Sequence, residues 1–173
     1  MEAPAAFRQQ LLAAIPRLRR YARSLVFDST LADDLVQTAL ARALSHWHQF
    51  DQRRDILVWL LSIAHNAHLD DRRRDARWMQ LADDGLGHEP AAPATDVGLR
   101  IDLVAALRRL PDAQREVLLL IGVEQLSYAE CAEVLRIPLG TVMSRLSRAR
   151  VALRGLLDGT VHPVPARGLR RVV

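Results

Sequence analysis

Not one lysine occurs among the 173 residues: all 24 basic side chains are arginine, against 20 acids, for a net charge of +4. Arginine is the better fork for phosphates and guanine edges, but an arginine-only chain also reflects genome composition, the weightier explanation. Cysteine is nearly absent too. A single Cys131 excludes an internal disulfide and sits where a small buried residue is wanted. Only 5% of residues are aromatic, so any core must be built from Leu, Ala, Val and Ile. There is no basic segment leading into an apolar signal core, and no apolar run approaching a membrane span, which predicts a soluble, reducing, cytoplasmic setting without membrane insertion. Alternating apolar runs bounded by turn residues are missing, which argues against β structure.

What is present is helical periodicity in two blocks. Residues 1–78 carry 12 arginines and 9 acids, residues 98–157 carry 9 and 6, and the tail 158–173 carries 3 and 1. Between the blocks, residues 79–97 hold 4 acids and no arginine, with Gly85, Gly87, Pro90 and Pro93. That composition predicts an acidic, flexible linker between two mildly basic bodies. The tail, with Gly159, Pro163, Pro165 and Gly168, reads as disordered. The expectation is an all-α chain of two small helical domains, 1–78 and 98–157.

The most directive stretch is 126–150, LSYAECAEVLRIPLGTVMSRLSRAR. Ser127 and Glu130 form a capping box, each side chain able to cover the other's backbone amide. A short helix follows, with Cys131, Ala132 and Leu135 inward. Ile137-Pro138 breaks it, because a residue before proline avoids helical angles and proline suits a new first turn. The next helix places Val142, Leu146, Ala149 and Leu153 on one stripe, leaving Thr141, Ser144, Arg145, Ser147 and Arg148 mainly on other faces. This is the plan of a helix-turn-helix whose second helix enters the major groove. A helical hairpin with a merely solvated outer face is the alternative. Arg145, Arg148 and Arg150, with no acid between Glu133 and Asp158, favour phosphate contact. Arg136 stands at the turn where a left-handed residue, usually glycine, is expected, at a cost of about 1 kcal/mol.

Elsewhere the pattern predicts helices over 7–27, with Pro16 forcing a kink or restart, over 31–47, and over 56–78. Arg17, Arg19, Arg20 and Arg23 read as a solvated charged face. Residues 46–55 read as a polar loop pinned by Trp47 and Phe50. Helices follow over 98–110 and 112–123, the latter buried because its run from Val117 to Ile121 is apolar nearly all round.

No catalytic constellation emerges. Asp70, Asp71 and Asp75 could hold magnesium, but adjacent arginines would neutralise such a site. His65 and His68 share a helix face, yet no other ligand obviously converges on them. Gly140-Thr141 belongs to a helix start, and no glycine-rich phosphate loop exists. The reading is a non-enzyme without metal or cofactor.

Two motif sets now point one way. Residues 110–153 closely resemble the fourth region of the extracytoplasmic-function sigma factors, the small promoter-specificity subunits of bacterial RNA polymerase. Independently, Ala32-Asp33-Asp34-Leu35-Val36-Gln37, the Phe50-Asp51 loop and the stretch from Trp59 to Asp70 resemble their second region. The order and spacing match over residues 15–155.

The resemblance implies that the first block grips the clamp coiled coil of core RNA polymerase through Asp34 and Gln37. It also implies that Gln52, Arg53, Arg54 and Asn66 handle the non-template strand of the −10 element. In the second block, Thr141, Ser144, Arg145, Ser147 and Arg148 would face −35 DNA, with Arg148 and Ser144 on base edges and Arg145 on phosphate. Partners implied are core polymerase (clamp and flap), promoter DNA and an anti-sigma factor. The chain departs from the pattern at Thr38 and Leu40, at His65 where arginine often stands, and at Arg136. Two other readings remain: a sigma mimic that titrates an anti-sigma factor, and a helix-turn-helix repressor, which should dimerise.

Overall fold

The computed structural model describes residues 3–81 and 98–158, with side chains described for 3–78 and 102–158. Of the predicted linker, residues 79–81 continue the third helix; residues 82–97 and all but the first residue of the predicted tail lie outside the described residues. Seven α-helices and one short 3-10 turn make up the described chain, without a strand.

Helices α1 (Ala5–Val26), α2 (Ser29–Ser45) and α3 (Ile56–Leu81) pack on one another as a first group. Pro16 lies inside α1 without dividing it. The carbonyl it leaves without a donor belongs to Leu12, which is on the exposed side where water can take the bond. The side chain of Asp28 caps α2, accepting from Leu31 N–H at 2.9 Å. Asp55 does the same at the start of α3, accepting from Leu57 N–H at 2.8 Å.

Between α2 and α3 the loop is tied down by apolar contact. Phe50 is buried, with its ring 5.2 Å from Trp59 and 5.8 Å from Phe7. Trp47, in the 3-10 turn Trp47–Gln49, packs partly buried against the same core. The three-ring cluster joins α1, the loop and α3, so polar residues 51–55 are exposed on a firmly held base.

The second group comprises α4 (Gly98–Arg109), α5 (Asp112–Gly122), α6 (Tyr128–Leu135) and α7 (Leu139–Leu157). Both halves of the predicted capping box are present: Glu130 N–H donates to Ser127 Oγ at 3.2 Å, and Ser127 N–H to Glu130 Oε2 at 2.7 Å. These bonds hold the Glu130 carboxyl below its ordinary pKa, the backbone amide contributing most. Arg136 ends α6 in the left-handed region, φ 53° and ψ 45°, and the chain turns sharply into α7. Val117, Leu119 and Leu120 of α5 meet Val142 and Leu146 of α7 in the core. Each fully buried Leu or Val contributes about 1.5–3 kcal/mol. Cys131 is fully buried among them, and loss of water pushes its thiol up to about 12.

The two groups are not held apart. Helix α1 packs on α5 and α3 on α6, and buried apolar residues of both groups form one continuous cluster. The reading of the sequence as two loosely tethered bodies did not anticipate this contact. Its polar part is unusual for a core. Glu124, 1% exposed, accepts from Arg20 Nε at 3.0 Å and Nη2 at 2.9 Å, and from Arg17 Nε at 3.2 Å. Glu116 Oε1 accepts from the Tyr21 hydroxyl at 2.8 Å and lies 2.5 Å from His65 Nδ1. Arg108 and Arg115 both stack over the Phe27 ring at 5.1 Å.

Candidate nucleic-acid and polymerase interface

Helix α7 carries the set expected to face the groove. Its inward stripe of Val142, Leu146 and Ala149 is buried, so helical geometry turns Ser147 and Arg148 to solvent. Among the described residues, Arg145, Arg148 and Arg150 make no hydrogen bond or ion pair with the rest of the chain. Three cations on one helix, none neutralised among the described residues, give a field suited to a phosphate backbone. Ser144 and Thr141 are half-buried, and the Ser144 hydroxyl donates to Thr141 O at 3.1 Å. Of the expected readers, Ser147 and Arg148 therefore project furthest. Beside them Tyr128, Met143, Val151 and Arg154 line a shallow groove.

The second expected set, from the loop and α3, is brought together less completely. Gln52, Arg53 and Arg54 are all exposed on the loop held by Phe50, and Arg53 N–H donates to Asp51 Oδ1 at 3.0 Å. Asn66 is half-buried on α3, its amide nitrogen donating to Ser62 O at 2.8 Å. It lines a pocket with Arg42, Trp59, Glu133 and Arg136, the last two contributed by the second group. Arg54 is not free either: its guanidinium is ion-paired with Glu133 of α6.

The third set lies on α2. Asp34 and Gln37 are exposed one turn apart, and Leu31 is 58% exposed beside them. An exposed leucine at three residues from an acid is the mixed surface that a helical partner would cover, and the sequence reading passed over it. Asp34 and Thr38 also line a wide cleft whose far wall includes Arg108, Asp112 and Arg115.

Other candidates find ordinary partners. Arg17 and Arg20, read as solvated, hold Glu124; they lie three residues apart on α1, which lets one acid reach both. Arg19 pairs with Asp33 at 3.2 Å. Asp70 pairs with Arg42 at 3.2 Å, and Asp71 with Arg74. His65 meets Glu116, and burial lowers the pKa of His68, favouring its neutral form. Among the described residues no cluster of three or more potential ligands could hold a metal ion, and no helix is long and apolar enough to cross a membrane.

Comparison with known proteins agrees with this geometry. Residues 100–153 match the family description "Sigma-70, region 4", and residues 11–65 match "Sigma2 domain of PhyR". An ECF RNA polymerase sigma factor, EcfG of Rhodopseudomonas palustris, is 36% identical over 96% of this chain and 94% of its own. SigM of Bacillus subtilis, of the same type, is 31% identical over 83% of this chain and 90% of its own. Among solved structures, the sigma factor RpoE of Bartonella quintana, in complex with the anti-sigma factor NepR, superposes with a TM-score of 0.80 at 34% identity. That superposition covers 90% of this chain and 98% of the other. With identity at this level running nearly end to end, the chain belongs to the extracytoplasmic-function sigma factors of the sigma-70 family.

Proposed function

We propose that the chain confers promoter recognition and transcription initiation on core RNA polymerase, with residues 1–78 serving the clamp and the −10 element and residues 98–157 the −35 element. The observation that carries this reading is the outer face of α7, where Ser147 and Arg148 are exposed beside Arg145 and Arg150, unpaired among the described residues, on a capped helix-turn-helix. Arg148 is assigned to a base edge and Arg145 to phosphate, with Ser144 and Thr141 supporting the helix entry. Asp34, Gln37 and Leu31 are assigned to the clamp coiled coil, and Gln52, Arg53, Arg54 and Asn66 to the separated non-template strand. The chain supplies recognition; the polymerase does the chemistry. A factor acting on polymerase works in the cell interior. The RpoE structure contains an anti-sigma factor, and we extend to this chain control by a partner of that kind.

Footprinting of the chain with core polymerase on promoter fragments tests the reading. Two protected patches, at −35 and −10, are expected only in the presence of polymerase. One symmetrical patch without polymerase would replace it with a repressor.

The match of residues 11–65 to a PhyR domain favours a second reading, a mimic that titrates an anti-sigma factor and never touches promoters. A mimic needs only partner-facing surfaces. It would give no footprint under any condition, and Arg148→Ala would leave its activity unchanged.

A further inference from the structure

Helix α3 runs on past the core of the first group. Every residue from Arg72 to Trp78 is exposed. Trp78, at 75%, is the most exposed large hydrophobic side chain among the described residues. Tryptophan is highly buried on average, and its ring offers a partner more apolar area than most side chains.

The last turns of α3 sort their charges by face. Asn66, Asp70, Arg73 and Arg77 follow at spacings of four, three and four, so they share one face. Asp71, Asp75 and Trp78, at spacings of four and three, share another. Arg42, late in α2, pairs with Asp70, while Asp34 and Thr38, earlier in α2, line one cleft with Asp71 and Asp75. The two helices therefore run antiparallel, and the face of α3 that ends in Trp78 lies alongside the start of α2. Leu31 stands there, 58% exposed. Asp34 and Asp75 are exposed between these two apolar groups and make no ion pair among the described residues.

We propose that Trp78 and Leu31 together anchor core RNA polymerase, so that the clamp surface assigned to α2 continues onto the end of α3. The proposal rests on the assignment of Asp34 and Gln37 to the clamp coiled coil. Continuity favours this occupant, because Asp34 belongs to that surface and lines the same cleft as Asp75. Charge favours it over DNA: the unpaired groups beside Trp78 are carboxylates, which repel a phosphate backbone, while Arg73 and Arg77 lie on the other face. Two large apolar groups flanked by free acids fit a helical surface that brings an apolar stripe with basic residues beside it. Tryptophan is foremost among the side chains that carry binding energy once a partner excludes water from them.

The test titrates core polymerase with full-length Trp78→Ala, Leu31→Ala, the double variant, Trp78→Phe, and Arg77→Ala from the other face. Trp78→Ala should weaken binding at least about tenfold, and Trp78→Phe should recover part of that loss. One partner surface covers both anchors, so the double variant should lose less than the product of the single losses, by about twofold or more. Arg77→Ala should bind as the unaltered chain does. Helix content by circular dichroism, and Tm, should be the same throughout, since both anchors are exposed. Hydroxyl-radical footprinting of the unaltered chain needs no variant to fold: Trp78 should be oxidised in the free chain and protected in the polymerase complex.

Core affinity within about twofold of the unaltered chain for Trp78→Ala, or equal oxidation of Trp78 free and bound, overturns the proposal. A loss confined to −10 oligonucleotide binding by preformed holoenzyme also overturns it and makes Trp78 a nucleic-acid contact. A fall in Tm or a gain in polymerase affinity overturns it too, because the chain itself would then cover the ring. If Asp34→Ala with Gln37→Ala loses core affinity and Trp78→Ala does not, this proposal alone falls. If Asp34→Ala with Gln37→Ala keeps full affinity, the clamp assignment falls and the proposal with it.

Discussion

Arg136→Gly should make this protein more stable, although it deletes a large side chain from a helix-turn-helix. Arg136 holds φ 53° and ψ 45°, where Cβ crowds the following carbonyl at a cost of about 1–2 kcal/mol. The turn's backbone bonds do not need a side chain: Arg136 N–H reaches Glu133 O at 3.2 Å, and Ile137 N–H reaches Ala132 O at 3.1 Å. The guanidinium is exposed and makes no hydrogen bond among the described residues. Glycine removes the crowding but adds freedom to the unfolded chain, returning about 0.5–1 kcal/mol of the gain. The net expectation is roughly 0.5–1 kcal/mol, or about 1–4 °C in Tm for a chain of this size. Urea unfolding followed by helical circular dichroism measures it, with an unchanged slope confirming that only stability moved. Arg136→Ala is the control, since it retains the crowded Cβ and should bring no gain. Glycine no more stable than alanine would refute the strain argument.

Three further outcomes follow from the sites and the core. Arg148→Ala should weaken −35 duplex binding by about 1–3 kcal/mol with core binding intact, while Arg145→Ala should lower the salt slope by about 1; both are read by titration at several salt concentrations. Asp34→Ala with Gln37→Ala should do the reverse, lowering affinity for core polymerase in a pull-down while the isolated −35 contact persists. The Cys131 thiol should resist alkylation at pH 8 until the chain unfolds. Because its folded pKa lies near 12 and its ordinary value at 9.0, its contribution to stability is whole below pH 9 and declines as pH rises towards 12. A melting temperature insensitive to Cys131→Ala across that window would contradict this.

Local signals carried much of the fold. The capping box at Ser127, the break at Pro138 and the apolar stripe of α7 each depend on residues within one or two turns, and the structure places all three as the spacing requires. Phe50 is legible as a loop anchor from its aromatic character, although its partners Trp59 and Phe7 lie on other elements. Of the kink or restart expected at Pro16, the restart does not occur, because a helix survives an internal proline where the orphaned carbonyl faces water. The larger omission was the seam between the groups. Tyr21 and Glu116 are 95 residues apart, and Arg17 and Glu124 are 107 apart, so no periodicity relates them. A trace existed: Arg17 and Arg20 stand three apart on a half-apolar helix, and Glu116 heads an otherwise apolar run. Charges so placed need partners, but the sequence does not say which. His65 belongs to the same omission. It departs from the family pattern at the point where this chain needs a neighbour for a buried carboxylate.

The measurement that bears most directly on the central claim is run-off transcription with purified core polymerase and a promoter fragment. The chain should start a transcript of one defined length, and Arg148→Ala should cut its yield severalfold or more while still entering the polymerase complex. No specific transcript from a chain that binds core polymerase, or a transcript indifferent to Arg148, would contradict the account.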